Sequence, residues 1–196
     1  MTPDELAALT HRPTHGPFLT SVLVDGVTTP TLADLPPARD GLLFVGLHPD
    51  ADSIEAGHYH QDRLGRTFWR RLMLAGVLPP ATPIGTADEA LVAAGHGLAD
   101  LTKATDRRDD ELRAGVGPLW QKIAIWRPAA IVFLDRRTAE VAAGRALPEP
   151  WGHLAGVALA GRPCFLLPGP DADQEIVEEG INFLRNLAAS LPVDRA

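Results

Sequence analysis

A single cysteine, Cys164, rules out an internal disulfide and a cysteine-based metal cluster. It lies in the apolar run "RPCFLLP", where a packed core thiol is the expected role. No uninterrupted apolar run approaches the roughly 20 residues that a membrane-spanning helix requires. The opening "MTPDELAALTHRPTHG" has early acids and no basic-then-apolar signal layout, so a cytoplasmic location without a membrane partner is expected. No Gly-rich phosphate loop with its following Lys-Ser/Thr is present, because "GHG" and "PGP" lack the spacing. No Gly-x-Ser-x-Gly nucleophile elbow occurs either. Basic charge is also in deficit: 18 Lys and Arg against 25 Asp and Glu give a net charge of −7. That balance argues against a chain gripping nucleic acid over its whole surface, though not against a local basic track.

What remains, 45% hydrophobic and 22% charged residues over 196 positions, is the composition of a globular chain, read here as one domain. Residues 1–40 read as an extended lead-in, with "FLTSVLVDG" a short helix or an edge strand. "LLFVG" (42–46), "AAIVFLD" (129–135) and "RPCFLLPGP" (162–170) read as strands buried on both faces, with "HGLADL" (96–101) a shorter one. Helical patterns fall between them at 66–80, 86–95, 109–126, 137–144 and 174–190. Strands alternating with helices predict a three-layer α/β/α domain around a mostly parallel, twisted sheet. In such sheets ligands bind beyond the carboxyl ends of the strands. Here those ends are "GLHPD", "LDRRT" and "LPGPDAD".

The strand exits carry a resemblance. "LLFVGLHPD", "AGHYH", "RTFWRRLMLAG", "GHGLADL", "ELRAGVGPLWQKI", "AAIVFLD", the pair Trp151-Gly152 and "LLPGPDA" follow one another in an order that resembles the uracil-DNA glycosylase superfamily, in its mismatch-specific uracil and thymine branch. The likeness spans about residues 30–190. It implies that superfamily's fold and hydrolysis of the N-glycosidic bond of uracil in DNA, in base-excision repair, by a monomer without metal or cofactor. It differs most where function would sit. His48 stands where the family has an Asn that aims the attacking water, and Asp50 replaces the final Gly of that motif. The base-stacking aromatic falls on Tyr59 or His60. Gly169, Pro170, Asp171 and Ala172 stand in place of Asn-Pro-Ser-Gly, and the duplex wedge falls on Asp173, Gln174 and Glu175.

Releasing uracil makes three demands. The base must leave the stack, its developing negative charge needs hydrogen-bond donors, and the sugar cation needs a carboxylate or a positioned water. Gly46 and Leu47, leading into His48, are the expected base-binding backbone. Asp100, His48 and Asp50 are the catalytic candidates, with Asp100 as sugar-stabilising carboxylate and neutral His48 as water-orienting group. Arg63 and Arg66, with Arg70, Arg71, Lys103, Arg107, Arg108, Arg136 and Arg137, offer phosphate contacts at the sheet edge. For Arg70 and Arg71, solvated helix-face charge also fits well. His58 and His60 alternate as two zinc ligands would, but two ligands do not make a site. The acids of "PGPDADQE" oppose phosphate, which favours single-stranded or already unpaired DNA. Two rival functions follow: hydrolysis of a small nucleoside or base, and silent binding of modified DNA.

Overall fold

The computed structural model describes residues 16–24, 26–103 and 109–191. The domain is α/β, with a five-stranded, mostly parallel sheet flanked by helices. Strand β3 (Leu42–Gly46) lies between β4 (Gly97–Asp100) and β5 (Ala130–Phe133); β7 (Arg162–Leu166) and β6 (Gly152–Leu159) complete the order β4-β3-β5-β7-β6, with β5 in the middle. Only β6 runs antiparallel, as the edge partner of β7.

Period-two alternation divides the core between two faces. Leu42, Phe44, Leu98 and Val132 pack on one side with helices α2 (Arg63–Ala75), α3 (Ala87–Ala93) and α6 (Gln174–Ala189). Leu43, Val45, Ala99, Ile131 and Phe133 pack on the other with α4 (Asp109–Trp126) and α5 (Arg136–Ala143). Cys164 is fully buried in this second layer, where burial pushes its thiol up to about 11. From β3 the chain passes to β4 on one side, then returns across β3 to β5. The crevice beyond β3 and β5 is therefore the switch point of the sheet.

Four features depart from the sequence reading. The lead-in contains an antiparallel hairpin, β1 (Leu19–Val24) with β2 (Val27–Leu32). A short helix α1 (Ala51–Ala56) follows the first strand exit. The strand β6 lies at 152–159, where the sequence suggested only the Trp-Gly pair; its burial alternates and a register shift between His153 and Ala158 bends it. Helix α2 ends at Ala75, before the expected 80, because Gly76 adopts the left-handed cap conformation at φ 75°. Among the described residues no helix is long and apolar enough to cross a membrane.

The start of β3 is seated by a side chain. Leu42 N–H donates to His96 Nδ1 at 3.1 Å, so this nitrogen must be unprotonated. Burial lowers the His96 pKa, and burial likewise lowers that of His60. Between the depressed folded values and about 6.5 the unfolded chain binds protons that the folded chain does not, so stability rises with pH across that window. The melting temperature should therefore fall on acidification from about pH 7 to about pH 5. His96→Asn, whose Oδ1 accepts without titrating, should flatten part of that fall in thermal melts. An equal fall in the variant assigns the effect elsewhere.

Candidate functional site

A cleft of about 220 Å³ opens beyond β3, β5 and β7. His60, Phe68 and Leu134 supply apolar and aromatic walls, Leu167, Pro168 and Pro170 close the β7 side, and Asp50, Asp62 and Arg71 add polar groups.

The acids lining it are helix caps. Asp50 accepts from Ser53 N–H at 2.8 Å and from the Ser53 hydroxyl at 2.5 Å, which occupies both of its oxygens at the start of α1. Asp50 thus has a structural role of its own as the cap of α1. Asp62 caps α2 by accepting from Gly65 N–H at 2.6 Å.

The "HYH" stretch is held from three sides. Buried Asp88 accepts from Tyr59 N–H at 2.8 Å and pairs with His58 Nδ1 at 2.9 Å. The Trp69 indole donates to Tyr59 O at 3.1 Å. The Ser53 hydroxyl accepts from Gln61 N–H at 2.9 Å. The two aromatics of the stretch differ in burial. Tyr59 is 1% exposed and presents no open face, whereas His60, at φ 56°, lines the cleft with its ring edge-on to Phe68 at 4.8 Å. His58 and His60 have separate partners, and no group able to hold a metal ion is present among the described residues.

Gly46 and Asp100 are register partners on β3 and β4, both on the sheet face that carries Phe44 and Leu98. A β-carbon on Gly46 would stand 3.0 Å from Asp100 Oδ1 and 4.0 Å from His60 Cε1. A bare α-carbon thus lets the carboxylate and the imidazole converge from either side. Asp100 itself is 2% exposed, one layer behind the cleft wall. The exits of the two strands stay tied beyond this point, since Leu101 and Thr102 N–H donate to Gly46 and Leu47 carbonyls at 2.9 and 3.0 Å. The His48 ring lies outside the cleft lining, and its Nδ1–H donates to Pro49 O at 2.8 Å.

Behind Asp100 stands a cluster that the sequence did not disclose. Lys103 Nζ is 2.6 Å from Asp34 Oδ1 and 2.9 Å from both Asp100 Oδ2 and the Tyr59 hydroxyl, so each of its three protons has an acceptor. Lys122 Nζ pairs with Asp34 Oδ2, and the Tyr59 hydroxyl donates to Ala33 O at 3.0 Å. Burial opposes charge on Lys103, but Asp100 and Asp34 raise its pKa well above the ordinary lysine range. Burial likewise opposes charge on Asp34, yet Lys103 and Lys122 hold its carboxyl below the usual range. The chain contains two lysines, and both are committed here.

The expected basic track is correspondingly reduced. Lys103 is internal, and Arg107 and Arg108 lie outside the described residues. Arg136 is held by Glu140 and by the Leu147 and Glu149 carbonyls, and Arg137 by Asp109. Arg63, Arg66 and Arg70 remain exposed along α2. Arg71 leaves the solvated face assigned to it: it lines the cleft and donates to Pro168 O at 2.9 Å and Gly169 O at 3.2 Å, tying α2 to the β7 exit. Its Nε–H is buried without an acceptor, and burial lowers its pKa. Gly169, Pro170 and Asp171 are exposed and Ala172 is half-buried; Asp173 and Glu175 are exposed at the start of α6. No family model and no curated protein matches this chain.

The approach of α2 to the His60 backbone depends on Gly65, where an added β-carbon would meet His60 C and Cα at 2.5 Å. Gly65→Ala should cost roughly 1–3 kcal/mol through overpacking and displace the His60 ring. Thermal melting and the His60 ring resonances check this; an unchanged melting point with an unmoved ring contradicts it.

Proposed function

We propose that the chain hydrolyses the N-glycosidic bond between uracil and deoxyribose in DNA presented unpaired. One observation carries the reading: at the switch point of the sheet, an aromatic-walled cleft meets a buried carboxylate across the bare α-carbon of Gly46. The extruded base lies against His60 and Phe68, whose rings supply stacking and edge contacts. The Arg71 guanidinium, which lines the cleft, offers positive charge that gains most as negative charge grows on the departing uracil. The sugar sits toward Gly46, where Asp100 opposes its developing positive charge through a medium of low dielectric. Water adds to the sugar carbon as the uracil anion leaves, and Asp100 takes its proton.

Unpaired presentation follows from charge. Asp171, Asp173 and Glu175 project at the site where a duplex would be wedged open, and phosphate repels them. The same observation favours a second reading, a hydrolase for a free nucleoside, in which no phosphate backbone approaches the loop.

Single-turnover release of base from single-stranded, G:U, A:U and G:T oligonucleotides tests the first reading, with 2′-deoxyuridine as the competing substrate. Release from single-stranded uracil DNA should lead. Asp100→Asn should slow it by roughly 10²-fold or more with little change in DNA affinity, the signature of an interaction made in the transition state. Turnover of deoxyuridine with none of the oligonucleotides selects the second reading, and wild-type rates in Asp100→Asn remove the carboxylate from the mechanism. Replacing Asp171, Asp173 and Glu175 by Ser, Ser and Gln should tighten duplex binding, most visibly at low salt, where screening is weakest. Unchanged duplex affinity would show that these carboxylates are not what opposes DNA.

A further inference from the structure

The reaction above assigns a task to Asp100 and none to Lys103, Asp34 or Lys122. Yet these four side chains form one buried array from three distant parts of the chain: the segment after β2, the β4 exit and helix α4. A buried ion pair seldom adds stability over an apolar packing of similar volume, so its presence calls for another role. The geometry supplies one. The Lys103 ammonium takes only Oδ2 of Asp100, at 2.9 Å, and leaves Oδ1 on the side facing Gly46 and His60. Its other protons go to Asp34 and to the Tyr59 hydroxyl. Asp34 is fixed in turn by Lys122, and the Asp100 N–H also approaches Asp34 Oδ1 at 3.4 Å.

We propose that Lys103 is the positioning residue of the site: it locks the Asp100 carboxylate with Oδ1 toward the cleft, while Asp34 counters the charge that Lys103 would otherwise direct at the same sugar. The inference rests on the glycosylase reading for what Oδ1 does, and on the contacts alone for how Oδ1 is held. A lone ammonium beside Asp100 would cancel the field that the sugar cation needs. With Asp34 as a second acceptor, the positive charge is shared backward, away from the cleft. Lys122 closes the array at two cations against two carboxylates. Tyr59, buried as the third acceptor, contributes by filling the last Lys103 proton and not by stacking on a base.

A double-mutant cycle separates this role from mere support of the fold. Lys103→Met should slow single-turnover base release from single-stranded uracil DNA on the order of 10²-fold, the penalty typical of a misplaced catalytic group. Affinity for single-stranded uracil DNA should change little, because a misplaced catalytic group loses an interaction made in the transition state. Added to Asp100→Asn, the same change should slow release by less than about twofold more, because its effect passes through Asp100. Losses that multiply in the double variant overturn the proposal. So does a loss of DNA affinity that matches the loss of rate.

A measurement on the resting wild-type protein stands independently of activity and of how well the variant folds. With 15N-lysine the chain yields two ammonium signals. The Lys103 signal should exchange slowly with solvent and correlate across the hydrogen bond with the Asp100 carboxyl carbon. A fast-exchanging ammonium without that correlation overturns the proposal even if the enzyme is active. Correlation present in a protein that releases no base from any DNA sustains the positioning and discards the glycosylase reading.

Discussion

The site depends on a charge buried where charge is expensive. Removing one partner from such an array leaves an uncompensated ion in a medium that solvates it poorly. The array therefore holds three stretches of chain in fixed relation: the segment carrying Asp34 after the hairpin, the β4 exit carrying Asp100 and Lys103, and α4 carrying Lys122. The hairpin is tied to the same exit, since the Thr31 hydroxyl donates to Lys103 O at 3.2 Å. Tyr59 joins the array to the "HYH" stretch through its hydroxyl, so the cleft wall at His60 is placed by contacts that begin at Lys103.

Around this array the remaining constraints are local. Asp50 and Asp62 start the helices on either side of His60, and Asp88 pins the loop between them. Gly65 lets α2 lie against the His60 backbone, and Gly46 leaves room between the imidazole and Asp100. Arg71 links α2 to the β7 exit and so sets the width of the cleft. A rigid polar frame behind a small aromatic opening suits a reaction driven by electrostatic preorganisation, where groups must not reorient as charge develops.

Much of the frame was legible in the sequence because apolar runs and their breakers mark buried strands and strand ends. The runs 42–46, 129–135 and 162–170 located three parallel strands, and their exits line the cleft. Asp100 was legible because "GLADL" reads as a strand beside the first. The strand β6 was not, since alanine and glycine weaken its alternating pattern. Asp34 and Lys122 were not legible either. Their pairing spans 88 positions, and Asp34 lies in a Pro-rich stretch without periodicity. Lys103 was mistaken for a phosphate contact because a basic residue at a strand exit looks the same in sequence whether it faces solvent or two buried carboxylates. Spacing alone does not separate Tyr59 from His60, whereas in the fold only His60 lines the cleft.

The account turns on the cleft at the β3 and β5 exits receiving a uracil base against His60 and Phe68. The most direct measurement is a titration of the 13C- and 15N-histidine-labelled protein with free uracil, followed through the ring resonances. The His60 ring should shift in a saturable manner, while the His153 ring, paired with Phe165 on the edge strand, stays in place. Uracil binding that leaves the His60 ring unmoved would contradict the account.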